Sequence, residues 1–277
     1  MNRKKTLQII LEAISNIFVL VLFGIPFYYV LINSFKTRQG AAQMNIAWPE
    51  SFHIIENYLE VLQTQNGMVI RAFWNSTVIT VSGIIVLIII SSMAGFVLGR
   101  RRGRSIHILG FVILAGLMIP PAIVPTIWLL NGLNLFKTIP GLVLVQVAIT
   151  FPFATILYRA FISSIPREID ESAMLDGCTP LRLYASIILP LLKPVSATVI
   201  VTSAVNIFND FMNPLYFLPG ARNVTVQLTL YNFMSQFSTS WNLLFANIVL
   251  ITLPPLILFI FFNKKIVAGM TAGAVKG

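Results

Sequence analysis

Long apolar runs broken by short charged ones set the pattern of this chain. No Asp, Glu, Lys or Arg occurs in Ala13–Phe35, Val78–Gly99, Ser105–Phe136, Thr138–Tyr158, Pro194–Asn209 or Asn242–Asn263. A helix needs about 20 predominantly apolar residues to cross a bilayer. The pattern therefore predicts an all-α membrane protein with six transmembrane helices, at roughly 14–34, 75–99, 106–131, 141–162, 186–214 and 241–263. Pro120, Pro121 and Pro125 interrupt the third run, and Pro254 and Pro255 lie inside the sixth. Each proline removes a backbone hydrogen bond, so such helices need neighbours or water to satisfy the freed groups, which suits a transporter. The first apolar run is longer than a signal-peptide core and no small-x-small site follows it, so a retained first span is expected. The segment 35–74, with Trp48, Pro49, Asn57 and Tyr58, reads as short helices at the interface, 132–140 as a short turn, and 223–240 as a polar stretch.

Composition agrees. Of 277 residues, 57% are apolar and only 10% are charged, against roughly 25% charged in an average soluble domain. That excludes an ordinary soluble enzyme and a DNA-binding domain, and it recasts the net charge of +10 as a question of sidedness. With six spans, one side collects fourteen of the nineteen basic residues: Arg3, Lys4, Lys5, Arg100, Arg101, Arg102, Arg104, Arg159, Arg167, Arg182, Lys193, Lys264, Lys265 and Lys276. Lys36, Arg38, Arg71, Lys137 and Arg222 fall on the other. The bias places both termini in the cytoplasm, with no nucleic-acid partner. The Arg100–Arg104 cluster reads as an orientation signal, with membrane lipid headgroups as the alternative partner. A single cysteine, Cys178, excludes an internal disulfide and reads as a reduced cytoplasmic thiol. Two histidines, His53 and His107, exclude a His-rich metal site. No Gly-x-x-x-x-Gly-Lys-Ser/Thr phosphate loop is present, so no metal and no cofactor is expected, and any ATP must be hydrolysed by another chain.

The loop between the fourth and fifth spans, Ser164–Pro190, is the most informative stretch. Pro166 fits the first turn of a helix. Glu168, Asp170 and Glu171 follow where the helix dipole favours negative charge. Gly177 fits the position that ends a helix, and Thr179 then caps a second one that has Pro180 at its first position. The spacing predicts a first helix of about 11 residues, or ~16 Å. Ile169, Ala173 and Asp176 share one face, Glu171 points elsewhere, and Ala173 and Gly177 are small enough for close approach by another protein. The plain alternative is an amphipathic connector resting on the membrane.

Glu171-Ser172-Ala173, Gly177, Ile187 and Leu189-Pro190 resemble, in residue type and spacing, the EAA signature of bacterial ABC importer permeases, with Ser172 where that family usually has Ala. The ending Gly269-Met-Thr-Ala-Gly-Ala-Val-Lys-Gly277 resembles the tail of maltose-transporter-type sugar permeases. Asn209-Asp210-Phe211 followed by Pro214-Leu215 resembles their Trp-Asn-Asp-Phe-x-x-Pro-Leu pattern, with Phe208 in place of Trp. Asn57-Tyr58, the arginine cluster and Ile165-Pro166 also match in place. The chain thus looks like the second permease subunit of a multiple-sugar or raffinose-type importer.

The resemblance implies a type I ABC importer transmembrane fold with a cytoplasmic coupling helix in the 166–190 loop, in the bacterial cell membrane. It implies a homologous second permease, two ATP-binding subunits and an extracytoplasmic sugar-binding protein as partners. It places ATPase docking on Glu171, Ser172, Ala173, Asp176, Gly177, Leu189 and Pro190. The organisation expected is a first helix with its extracytoplasmic loop (1–70), a permease core (71–263) and a cytoplasmic tail (264–277) that touches the ATPase.

Other residues are less specific. Asp210 is the only acidic residue deep in a predicted span. It reads as a translocation-path or gate residue beside Asn209 and Asn213, or as a structural hydrogen-bonding group at a helix end. Glu171 has no His, Ser or Cys arranged around it as a catalytic set, so docking fits it better than general-base chemistry. Asn75 and Asn223 match glycosylation sequons that carry no weight in a bacterium. Phe96, Phe151 and Phe153 read as packing or lipid-facing side chains rather than a sugar platform. Competing functions are an ABC permease for another solute such as glycerol phosphate, an ion-coupled secondary carrier, for which Asp210 is a sparse complement of intramembrane charge, and a non-transport scaffold.

Overall fold

A computed structural model describes residues 3–234 and 239–274, and every regular element among them is helical. The elements are α1 (Arg3–Ser34), α2 (Arg38–Ala42), α3 (Ile54–Arg100), α4 (Arg104–Ala115), α5 (Ile123–Gly132), α6 (Ile139–Ser164), α7 (Glu168–Leu175), α8 (Pro180–Leu191), α9 (Lys193–Phe208), α10 (Met212–Phe217) and α11 (Trp241–Ala274), with tight 3₁₀ turns at Ala221–Asn223 and Gln227–Phe233. Four helical segments are long and apolar enough to cross a membrane: Leu11–Ser34, Ile54–Arg100, Ile139–Ser164 and Trp241–Phe261. The pair α8 and α9 makes a fifth if taken as one broken span.

Proline placement explains where the helices depart from the pattern of apolar runs. The third run is not one helix: α4 stops at Ala115 and α5 starts at Ile123. Pro120 and Pro121 fall in the gap, where neither can donate to a helical ladder and each disfavours helical backbone at the residue before it. In the fifth run α8 and α9 meet at a 72° bend. Pro194, in the first turn of α9, has no N–H to continue the ladder from α8. α8 itself is wound as a π-helix over Leu183–Ile188. α3 is two helices, 54–63 and 68–100, joined through Thr64–Gly67, where Gln65, Asn66 and Gly67 take positive φ. The part 68–100 contains no proline and ends on Arg100. The last helix runs on to Ala274, through most of the stretch expected to be a tail. Residues 275–277 of that stretch lie outside the described residues, as do 235–238 of the polar segment.

The chain forms two compact units, Met1–Ile70 with Thr229–Leu253, and Arg71–Leu228 with Pro254–Gly277. In the first, Asn57 is buried and donates to the carbonyls of Ser34 and Lys36, both at 2.9 Å, while its own oxygen accepts from Asn242 at 2.7 Å. Tyr58 meets Ser34 Oγ at 3.1 Å, and Tyr29 stands edge-on to Phe245. Asn57 and Tyr58 are therefore braces between helices. Lys36 is buried, its ammonium group donating to Asn33 Oδ1 and to both oxygens of Asn45 at 2.8–3.1 Å. Burial pushes its pKa below the ordinary 10.5. From Leu11 to Phe27 nearly every side chain of α1 is exposed. Over that stretch, apolar side chains left bare by the described residues need lipid or another subunit around them.

The second unit holds a core of Leu87, Leu142, Tyr158, Ile162, Ile188, Leu192, Val199, Phe217 and their neighbours. Close packing of α3 on α6 depends on two glycines. A Cβ on Gly95 would stand 2.6 Å from Tyr158 Cβ, and one on Gly99 would stand 2.9 Å from Ile162 Cγ2. Gly95-Phe-Val-Leu-Gly99 is a small-xxx-small stripe, the pattern by which membrane helices approach backbone to backbone. Tyr158 then donates to Ser196 at 2.8 Å, joining α6 to α9. Ser92 and Tyr184 share a hydrogen bond of 2.6 Å, joining α3 to α8.

Candidate functional site

The loop after α6 folds as its residues dictate locally, with one shift. Pro166 lies ahead of the helix rather than in its first turn, and α7 spans 8 residues rather than the expected 11, starting at Glu168. Its stop is a Schellman motif. Gly177 takes φ +77, its N–H donates to Met174 O at 3.0 Å, and Cys178 N–H donates to Ala173 O at 3.0 Å. Thr179 Oγ1 then accepts from Arg182 N–H and caps α8, with Pro180 in its first turn.

One side chain holds α7 in place. Arg100 Nε lies 2.6 Å from Asp170 Oδ2, and its Nη2 donates to Oδ1 at 3.1 Å. Its Nη1 donates to the carbonyls of Ile162 and Ile165, at 3.2 and 2.9 Å. One guanidinium thus satisfies the open carbonyl end of α6 and clamps α7 by its carboxylate, a use of the planar donor fork that Lys cannot copy. Arg167 returns a bond to Arg100 O at 3.4 Å.

The clamp decides which face of α7 is free. Asp170 and Ala173 are buried and Ile169 is half-buried. The small size of Ala173 thus serves packing within this chain, contrary to the expectation of close approach by a partner there. Asp176, expected on the same face as Ala173, is exposed. Of the other expected docking residues, Glu171, Ser172, Gly177 and Pro190 are exposed and Leu189 is half-buried. Ser172 bonds back to Glu168 O at 2.6 Å. Three further apolar side chains are exposed here, Leu175 at 89%, Leu181 at 70% and Met174 at 53%. The free surface thus combines Glu171 and Asp176 with exposed leucines and a methionine.

Asp210 is the centre of a second cluster. It lies just past the end of α9 and is half-buried. Its Oδ2 accepts from Gln146 Nε2 and from Asn213 Nδ2, the latter at 2.7 Å, and its Oδ1 accepts from Asn213 N–H at 3.2 Å. Asn209 is exposed and accepts from Gln227 Nε2 at 3.1 Å. The three expected residues are therefore together, joined by Gln146 and Gln227. Gln146 was legible as the one amide in the fourth apolar run. Among the described residues the carboxylate is met by N–H donors, and it also caps the start of α10.

The remaining candidates are structural. Asn75 donates to Val224 O at 3.0 Å and Asn223 to Lys137 O at 3.2 Å. Phe96 packs against Tyr184, Phe151 is half-buried, and Phe153 is exposed. Among the described residues, no three His, Cys, Asp or Glu side chains are placed to hold a metal ion.

Comparison with known proteins places this architecture. Residues 88–272 match the family described as binding-protein-dependent transport system inner membrane component. The chain is 32% identical to the "Probable starch degradation products transport system permease protein AmyC" of Thermoanaerobacterium thermosulfurigenes, over 99% of each chain. It is 30% identical to the multiple sugar-binding transport system permease protein MsmG of Streptococcus mutans, over 92% of this chain and 93% of the relative. Among solved structures, a chain of a bacterial ABC transporter involved in import of the acidic polysaccharide alginate superposes with a TM-score of 0.81 at 20% identity, covering 95% of this chain and 98% of its own.

Proposed function

We propose that this chain, which belongs to the family of binding-protein-dependent transport system inner membrane components, is one permease subunit of an ATP-driven oligosaccharide importer. As a permease it is a transport component of the membrane and not an enzyme. The observation that carries the reading is α7: a short helix held from within by Arg100 and Asp170, with an acidic and leucine-bearing face turned out. Relatives named for starch degradation products and multiple sugars support an oligosaccharide as solute.

In this reading α4 and α5 form one broken third span and α8 with α9 one bent fifth span. Six spans then leave both termini in the cytoplasm, as the charge bias favours. The first helix and its outer loop (1–70) precede a permease core (71–263) and a cytoplasmic segment (264–277). The bare apolar surface of α1 supports a second, homologous permease as neighbour. One of the assembly's two ATP-binding subunits docks on Glu171, Ser172, Asp176, Gly177, Leu189, Pro190 and the leucines beside them, the other docks on the second permease, and an extracytoplasmic sugar-binding protein delivers solute from the opposite side of the membrane. Closure of the ATPases on ATP moves α7, and the spans exchange inward-open for outward-open states. Asn209, Asp210 and Asn213 belong to the translocation path or its gate.

The test is sugar uptake in cells carrying Glu171→Lys with Gly177→Pro. Uptake falls to background while the protein still reaches the membrane. Normal uptake in that variant overturns the docking role. Uptake abolished by an ionophore but indifferent to ATP depletion would instead identify an ion-coupled carrier.

A further inference from the structure

Arg100 is committed to Asp170 and α6, but the basic residues beside it are not. A cavity of about 730 Å³ opens at this end of the second unit, between the turn after α3 and the end of α6. Arg101, Arg102, Arg159, Arg167 and His107 line it, and among the described residues Glu168 is the one carboxylate on its wall. Among the described residues, the guanidinium groups of Arg101, Arg102 and Arg159 have no ion-pair or hydrogen-bond partner.

A second, smaller cavity of about 270 Å³ adjoins it and shares Leu98, Arg159 and Ser163 with the first. Its other walls are apolar: Gly110, Ile113 and Leu114 of α4, and Ile156 and Ala160 of α6. Arg159 stands where the two meet. It lies five residues before the end of α6, or about 7.5 Å along the helix axis. Its Nη1 is 3.3 Å from where a Gly110 Cβ would be, so the missing side chain of Gly110 leaves the guanidinium room to lie against α4. A cation at that depth reaches the headgroup level while its stem stays among acyl chains.

We propose that the two cavities together hold one anionic phospholipid of the cytoplasmic leaflet. Its phosphate sits among Arg101, Arg102 and Arg159, and an acyl chain lies in the groove between α4 and α6. A free phosphate would use only the basic cavity. The acidic surface of a protein would have no use for the apolar one. The join of the two at Arg159 matches the join of headgroup and chain in a lipid. The site depends on the membrane orientation of the chain and not on which solute it carries.

The experiment uses the purified, delipidated transporter with all its subunits, titrated with phosphatidylglycerol, phosphatidylcholine or glycerol phosphate while its thermal midpoint is followed. Phosphatidylglycerol raises the midpoint beyond phosphatidylcholine, and glycerol phosphate leaves it unmoved. In Arg159→Gln the phosphatidylglycerol needed for half the effect rises by about fivefold, the value of one basic contact to an anionic lipid surface. Ala160→Trp, which fills the apolar groove, has a similar effect, whereas Arg159→Lys stays near wild type. Equal effects of the two lipids on the wild-type complex overturn the proposal even if Arg159→Gln does not assemble. So does a full shift with glycerol phosphate, which would mark a soluble-anion site. Loss of the ATPase subunit from Arg101→Gln/Arg102→Gln with an unchanged lipid response also overturns it, assigning the surface to that partner.

Discussion

Arg100 and Asp170, seventy residues apart, meet in a two-point pairing that ties the last residue of α3 to the first turn of α7. Both side chains are about nine-tenths buried. Removing one partner leaves a charge with little water to replace it. Arg100→Gln and Asp170→Asn are each expected to lower the thermal midpoint of the assembled transporter, from a loss on the order of 1.5–3 kcal/mol for a charged hydrogen-bonded pair, and to reduce uptake. The check is a double-mutant cycle. Arg100→Gln with Asp170→Asn should lose clearly less than the sum of the single changes. Additive losses would mean that the pair is not coupled.

The approach of α3 to α6 predicts a sharp contrast between glycines. Gly95→Ala places a methyl group 2.6 Å from Tyr158 Cβ and 3.0 Å from Arg159 N, so the helices must separate. A midpoint drop equivalent to about 1–3 kcal/mol is expected, as for overpacking in a tight core. Gly24→Ala in α1 meets nothing within 4 Å and should be neutral or slightly stabilising, since Ala favours a helix over Gly by about 1 kcal/mol. Thermal unfolding of the two purified variants separates these cases.

Asp210 serves both a charge and a helix cap, and substitution can part the two. Asp210→Asn keeps an acceptor for Asn213 N–H but brings an amide against Gln146. If the carboxylate belongs to the path, this variant assembles with a midpoint close to wild type and transports at least tenfold more slowly, a barrier change of about 1.4 kcal/mol. Wild-type uptake with an intact complex would reduce Asp210 to a cap.

Lys36 gives a pH dependence with a definite sign. Its folded pKa lies below the ordinary 10.5 because burial disfavours the ammonium form. Between the folded value and 10.5 the unfolded chain binds more protons, so stability rises with pH across that window and the group's contribution is complete above 10.5. As pH falls through the folded value, that contribution is lost. The stability of wild type relative to Lys36→Gln should therefore climb toward alkaline pH and then level off, as followed by thermal midpoints. A gap that narrows with rising pH would contradict the burial.

What could be read from the residues alone was what they decide locally. Gly177 and Thr179 announced a helix stop and a helix cap because each acts within a few residues of itself, and both are where the spacing put them. The apolar runs placed the long helices for a similar reason. The start of α7 was misplaced because Pro166 is as compatible with the approach to a helix as with its first turn. The roles of Arg100 and Asp170 are out of reach of a local reading, since they depend on a partner seventy residues away. Ala173 is a similar case: small size does not say which neighbour comes close. Gly95 and Gly99 did carry a signal in their four-residue spacing. The break at Pro120-Pro121 was visible as an interruption, but whether a helix bends or stops there is decided by packing.

The proline-free helix 68–100 has one more consequence, which is mechanical. Its 33 residues form a rod roughly 50 Å long at 1.5 Å per residue. The prolines of α1, α6 and α11 give those helices points of weakness, and this one has none. Its Arg100 end is fastened to α7 through Asp170. Over that length a tilt of about 5° corresponds to a displacement of about 4 Å at the other end. In the proposed transport cycle a small movement of α7 would therefore reach the far end of the rod without any helix having to unwind.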